Sequence, residues 1–174
     1  SVVAAPPCLP ADTLPVDPAT TQIRVLNGTT RAGLAGNTQT ELQARGFVVT
    51  ETGNYRPSGV TGTARIRFGE PGIAAAYTLA AHVPGAMLVL DMRSDATVDL
   101  ILGTEYSTLV SNDEVTQTLV ATEPLANPPG CIPMAEALKN AAPAPSPSPA
   151  PSTESTEGDP AGEDPALEDE MPEI

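Results

Sequence analysis

The chain has 174 residues, with 22 acidic against 8 basic side chains and a formal charge of −14. That balance excludes the basic face that nucleic-acid binding normally needs, and five aromatic residues with no tryptophan make a poor stacking platform for bases or sugars. The length allows one domain or at most two, and no run of about 18 apolar residues is present to cross a membrane.

Proline divides the chain. Five prolines lie between Ser1 and Pro18, twelve from Pro124 onward, and only Pro57, Pro71 and Pro84 between. The charge is also uneven. No Lys or Arg follows Lys139, whereas nine acids do, so the remainder carries 8 basic against 13 acidic residues. Four segments follow: an extended Pro-rich stretch over 1–19 carrying Cys8, a folded domain over 20–122, a strap over 123–140 carrying Cys131, and a disordered Pro-rich acidic tail over 141–174. The tail is polyproline-like at first and then too poor in apolar surface to offset its ordering entropy. The opening Ser1-Val-Val-Ala-Ala-Pro-Pro reads like a piece that follows a membrane segment or a signal.

In chain order, Gln22-Ile-Arg-Val-Leu26 alternates and predicts a strand, broken by Asn27-Gly28. Leu34, Ala35, Thr38 and Leu42 form a helical stripe that ends at Gly46. Phe47 to Glu51 is a second strand, followed by a turn-rich loop from Gly53 to Gly62. Ala64-Arg-Ile-Arg-Phe68 is a third, with Ile66 and Phe68 on one face and Arg65 and Arg67 on the other. Pro71 opens an Ala-rich helix over 73–82. Strands follow at 87–92 and 98–102, then a helix from Asn112 or Asp113 to Val120 capped by Ser111 or Asp113, and a short helix over 134–140. The order β-α-β-β-α-β-β(-α) predicts an α/β (α+β) fold. Its small mixed sheet of four to five strands carries two or three helices on one face, tending to the split βαβ plan of ferredoxin-like domains.

These elements carry a resemblance. Val25-Leu26-Asn27-Gly28-Thr29, Gly33-Leu34-Ala35, Leu42, Gly46-Phe47-x-Val49, Asn54, Ala64 to Gly69 and Val98 to Tyr106 together resemble the LytR_C domain. That accessory domain ends LytR-CpsA-Psr envelope proteins and also occurs in other envelope proteins. Ile66-Arg67-Phe68-Gly69, Asp91-x-Arg93-x-Asp95 and Leu102 to Leu109 are similar to actinobacterial envelope integrity proteins with this domain outside a single membrane segment. The resemblance implies an extracytoplasmic position, with an anchor absent from this chain.

Cys8 and Cys131 are either two unrelated thiols or a disulfide tying both flanks over the domain. The disulfide is the expectation, because each cysteine stands alone in a Pro-rich segment that would not shelter a free thiol. The cysteine pair of the envelope integrity proteins occupies comparable positions. With one His and two distant Cys, no zinc set is present.

The chemistry-bearing residues are few. The loop Gly28-Thr-Thr-Arg-Ala-Gly33 lies between strand and helix, where backbone amides can receive anions. Leu34 and Ala35 replace the Lys and Ser/Thr of a phosphate-binding loop, so a tight turn is the simpler reading. The ligand reading of this loop would use Asn27, Thr29, Thr30 and Arg31. Arg24, Arg65 and Arg67 alternate on strands and could form a patch for carboxylate or phosphate; pairing with Glu51, Asp91 or Asp99 is the plainer account. No catalytic set, metal site or cofactor site is identified. Asp91, Asp95, Asp99 and Glu105 are glycosidase candidates by composition only, and His82 is placed near a helix C-terminus, where a positive charge is tolerated.

The expectation is a non-catalytic, extracytoplasmic envelope module, monomeric, that supports envelope integrity by binding a wall glycopolymer or an envelope protein. The alternatives are an accessory subunit of a LytR-CpsA-Psr-type glycopolymer phosphotransferase, or a chain whose acidic tail binds calcium or a partner.

Overall fold

The computed structural model describes residues 4–145. The stretch from residue 146, where the disordered acidic tail is expected, lies outside the described residues. The elements are β1 (Gln22–Asn27), α1 (Leu34–Ala44), β2 (Val48–Asn54), β3 (Ala64–Phe68), α2 (Ile73–Ala80), β4 (Met87–Leu90), β5 (Val98–Leu102), α3 (Asn112–Thr118) and α4 (Met134–Lys139). This is the mixed α/β class and the element order expected. Ser111 caps α3, its hydroxyl accepting from the Glu114 amide at 3.2 Å.

The sheet order is β2-β1-β5-β3-β4. β1 runs parallel to both β2 and β5, β3 runs parallel to β4, and β3 meets β5 antiparallel. α1 and α2 therefore each connect two directly adjacent strands, which departs from the split βαβ plan. The reason lies in β5. Val98-Asp-Leu-Ile-Leu102 is buried at every position, and a strand buried on both faces belongs in the middle of a sheet. It takes the centre between two closed βαβ units.

One face of the sheet is covered. Ile23, Val25, Ile66, Phe68, Val98, Leu100 and Leu102 pack against Leu34 and Leu42 of α1 and Ile73, Ala76 and Leu79 of α2 in one cluster. Each of these large side chains contributes about 1.5–3 kcal/mol by leaving water. Gly28 lets the chain turn out of β1 beside β5: a Cβ there would lie 2.6 Å from the Leu102 carbonyl oxygen.

The flanks are part of the fold. Cys8 and Cys131 form a disulfide across a separation of 123 residues, with Cα atoms 4.9 Å apart. In the chain-entropy account, closing so long a loop contributes about 4–5 kcal/mol. Around it, the Cys8 amide donates to the Ile132 carbonyl at 2.7 Å and the Ile132 amide to that of Pro6 at 2.9 Å, while the Tyr77 hydroxyl donates to the Pro7 carbonyl. Leu9 is buried in the main core. Past the expected start of the tail at 141, the Ala142 amide still donates to the Leu90 carbonyl at 3.0 Å, and Asp91 and Ala142 form a parallel bridge.

Candidate functional site

Neither α1 nor α2 lies on the opposite face of the sheet: part of it is buried under the loop after β2, against Leu26 and Ile101, and part is left open as a depression bordered by α4. That face is built by the alternate strand positions: Arg24 and Leu26 of β1, Arg65 and Arg67 of β3, Met87 and Val89 of β4, Asp99 and Ile101 of β5. Register sets the neighbours. Arg65 lies between Met87 and Ile101, and Arg67 between Val89 and Asp99. Leu26, Ile101, Val60 and Tyr55 form a small second apolar cluster.

The arginines of this face have different fates. Arg24 grips Asp99 with Nη2 at 2.7 Å and Nε at 3.2 Å. Arg93, in the β4–β5 loop, reaches Asp91 at 2.7 Å and Asp99 at 3.2 Å through Nη2. Burial alone would raise the Asp99 carboxyl, but the hydrogen bonds from Arg24 and Arg93 outweigh it and hold the group below the usual carboxylate range. The Asp99 bond in turn holds Arg24 firmly protonated. Arg67 is partly engaged: Nη2 donates to the Pro143 carbonyl at 2.8 Å, and Nε lies 3.5 Å from Asp91 Oδ2 without forming a hydrogen bond. Arg65 Nε is buried with no hydrogen-bond partner among the described residues. A buried donor left so costs about 1–3 kcal/mol. Thus the expected patch of Arg24, Arg65 and Arg67 shares one face, but Arg24 is neutralised and Arg65 is not.

Arg65 and Arg67 line a depression of about 280 Å³. Met87, Val89 and Ile101 line it from the sheet, Tyr55 from the loop after β2, Ala4 and Ala5 from the N-terminal segment, Ala137 from α4, and Asn140, Ala141 and Ala142 from the chain just after it. The strand alternation marks the arginines in the sequence. It does not mark Met87 or Val89, because Met87 to Leu90 is apolar at every position.

The loop after β1 is organised around its own side chains. Asn27 Oδ1 accepts from the Thr29 amide at 2.9 Å and the Thr29 hydroxyl at 2.7 Å, and its Nδ2 donates to the Arg31 carbonyl at 2.6 Å. The Arg31 amide donates to Thr29 Oγ1 at 3.0 Å. The Arg31 guanidinium reaches the Tyr106 carbonyl at 2.7 Å and so anchors the segment after β5. Asn27, Thr29 and Thr30 nevertheless line a smaller depression of about 180 Å³ with Asn54, Tyr55, Arg56 and Ser58. The two groups of candidates therefore line two depressions that adjoin at Tyr55.

His82 differs from its sequence reading. It follows α2 but is buried at 4% exposure, with its ring edge-on to Phe47 at 4.9 Å. Arg45 Nη1 lies 3.0 Å from His82 Nδ1; an arginine can only donate, so that nitrogen is the acceptor of a neutral ring. Burial first, and the Arg45 charge second, lower its pKa to about 4. Arg45 also donates to the Val110 carbonyl at 2.6 Å. Among the described residues, no group of three or more His, Cys, Asp or Glu side chains is arranged to hold a metal ion.

Five mixed strands, one helix-covered face and a disulfide strap define a small α/β domain with an arginine-bearing open face. The family model described as LytR cell envelope-related transcriptional attenuator matches residues 20–106, half of the chain, and the chain belongs to this LytR_C family. Cell envelope integrity protein Cei of Mycobacterium tuberculosis is 35% identical over 121 residues, covering 68% of this chain and 56% of that protein. The chain thus spans little more than half the length of that relative. It also superposes on a crystal structure of the soluble domain of a conserved hypothetical secreted protein from Mycobacterium marinum. The TM-score is 0.56 at 31% identity, covering 70% of this chain and 90% of that one.

Proposed function

We propose that the chain is a non-catalytic envelope module, working outside the membrane, that retains an anionic wall glycopolymer or an envelope protein in the depression on the sheet face opposite α1 and α2. The observation that carries this reading is the pair Arg65 and Arg67, side by side in a depression on the sheet face away from α1 and α2. Family membership and the relation to envelope integrity and secreted proteins support the location. The acids of the face support the binding role. Asp99 is held ionised by two arginines, whereas a general acid needs the opposite shift.

The test is a pull-down of the full chain on purified wall material. Saturable retention that falls with Arg65→Met and survives Lys139→Gln, an exposed charge on α4, supports the reading. No retention, together with normal envelope behaviour in a deletion strain, overturns it. Turnover of a lipid-linked wall precursor by this chain alone overturns its non-catalytic part.

A further inference from the structure

We infer that the depression lined by Arg65 and Arg67 is a binding site for one anionic group, a phosphate or a carboxylate, carried on a short apolar stem. This deepens the proposed function and rests on it for the location of the site.

The charge requirement comes from Arg65. A guanidinium carries five N–H donors. Among the described residues, the Arg65 side chain makes no hydrogen bond or ion pair, and its buried Nε has no acceptor. The same face shows what happens where acids are supplied: Arg24 and Arg93 close on Asp99 and Asp91 at 2.7 Å. No such acid stands beside Arg65, because the register places Met87 and Ile101 there. Arg67, engaged by a single carbonyl and a distant carboxylate, is a second cation at the same depression. Forked donors of this kind match the paired oxygens of phosphate and carboxylate.

The stem requirement comes from the walls. Met87, Val89 and Ile101 lie beside the cations, and alanines 4, 5, 141 and 142 form the rim. A bare hydrated ion would leave these surfaces uncovered, and a neutral sugar would leave the arginines unsatisfied. The volume of about 280 Å³ falls just under the usual range of about 300–1,000 Å³ for small-molecule pockets. It suits one charged head with a few carbons. The rim also explains why the flanks are stapled: Ala4 and Ala5 precede Cys8, and Ala141 and Ala142 follow Cys131, so the disulfide holds both rims in place.

The probes are hexyl phosphate, inorganic phosphate and hexyl glucoside, each titrated into the full chain by calorimetry, with NMR shifts mapped for Met87, Val89 and Ile101. The expected result is saturable binding of hexyl phosphate with shifts at those residues, at least tenfold weaker inorganic phosphate and no glucoside binding. Arg65→Met should weaken hexyl phosphate at least tenfold, and Lys139→Gln should leave it unchanged. Ala142→Glu brings a competing carboxylate to the rim through a residue joined to β4 by its backbone alone, and should have the same effect in a chain whose melting temperature is unaltered. Equal binding of inorganic phosphate overturns the stem, and equal binding of the glucoside overturns the charge. Wall retention that depends on Arg65 without hexyl phosphate binding overturns the pocket and leaves the proposed function standing. Hexyl phosphate binding without wall retention does the reverse.

Discussion

The two faces of the sheet are made by the same strands and do different work. On the covered face, Ile23, Ile66, Phe68, Val98, Leu100 and Leu102 are fully buried and need only shape and hydrophobicity from their neighbours. On the open face, one position along each strand, the side chains are Arg24, Arg65, Arg67, Asp99 and Ile101. Here each contact depends on a particular partner. Where Asp99 and Asp91 are present, Arg24 and Arg93 tie β1, β5 and the end of β4 together; where they are absent, Arg65 is left with donors for something else. Period-two alternation thus lets a short strand such as β3 carry stability on one face and recognition on the other.

Four experiments would break that division if it is wrong. The largest effect is expected from the strap that joins both faces. Replacing Cys8 and Cys131 by serine should cost about 4–5 kcal/mol in denaturant unfolding, and a loss under 1 kcal/mol would mean the flanks dock without the bond. Next is Asp99→Ala. It leaves Arg24 and Arg93 without their shared carboxylate, and breaking a buried pair in this way costs about 3–5 kcal/mol. A near-neutral result would show the ion cluster to be ornamental and the two faces less distinct than argued.

The third concerns His82, on the covered side. Its folded pKa of about 4 lies below the ordinary value of about 6.5, so the unfolded chain takes up the proton first as pH falls. The stabilisation is complete above about pH 6.5 and is lost as the pH drops through about 4. At 1.36 kcal/mol per pH unit, the loss is on the order of 3 kcal/mol. His82 is the chain's one histidine, so chemical denaturation between pH 6.5 and 5 should show a slope that His82→Gln abolishes. An unchanged slope would place the proton elsewhere.

Local patterning made most elements legible. Ala64–Phe68 and Val98–Leu102 fall where alternation and apolar content place them, and the arginine face of β3 follows from the same alternation. β2 runs on to Asn54 through Gly53, residues that read as a loop, because pairing with Leu26 and Asn27 of β1 overrides their weak strand preference. Strand order is a long-range property, so local pattern left the closed βαβ pairing unseen. The depression was half legible for the same reason. Arg65 and Arg67 are marked by period, whereas Met87, Ile101 and Ala142 reach them only through β4, β5 and the strap.

The smallest expected effect is the most discriminating. Ile66 and Arg65 are adjacent on β3 and point to opposite faces. Ile66→Ala removes a fully buried side chain and should cost about 2–5 kcal/mol. Arg65→Met exchanges an arginine with an orphaned Nε for an apolar chain between Met87 and Ile101. It should change stability by less than about 0.5 kcal/mol, or raise it, since removing an unsatisfied buried donor relieves its cost. Guanidinium unfolding of both variants measures the pair. A loss above 1 kcal/mol in Arg65→Met would mean that this arginine serves the fold, as Arg24 and Arg93 do. A neutral or stabilising result means that the folded chain alone gives no reason for an arginine at position 65, and that the reason lies in what the open face binds.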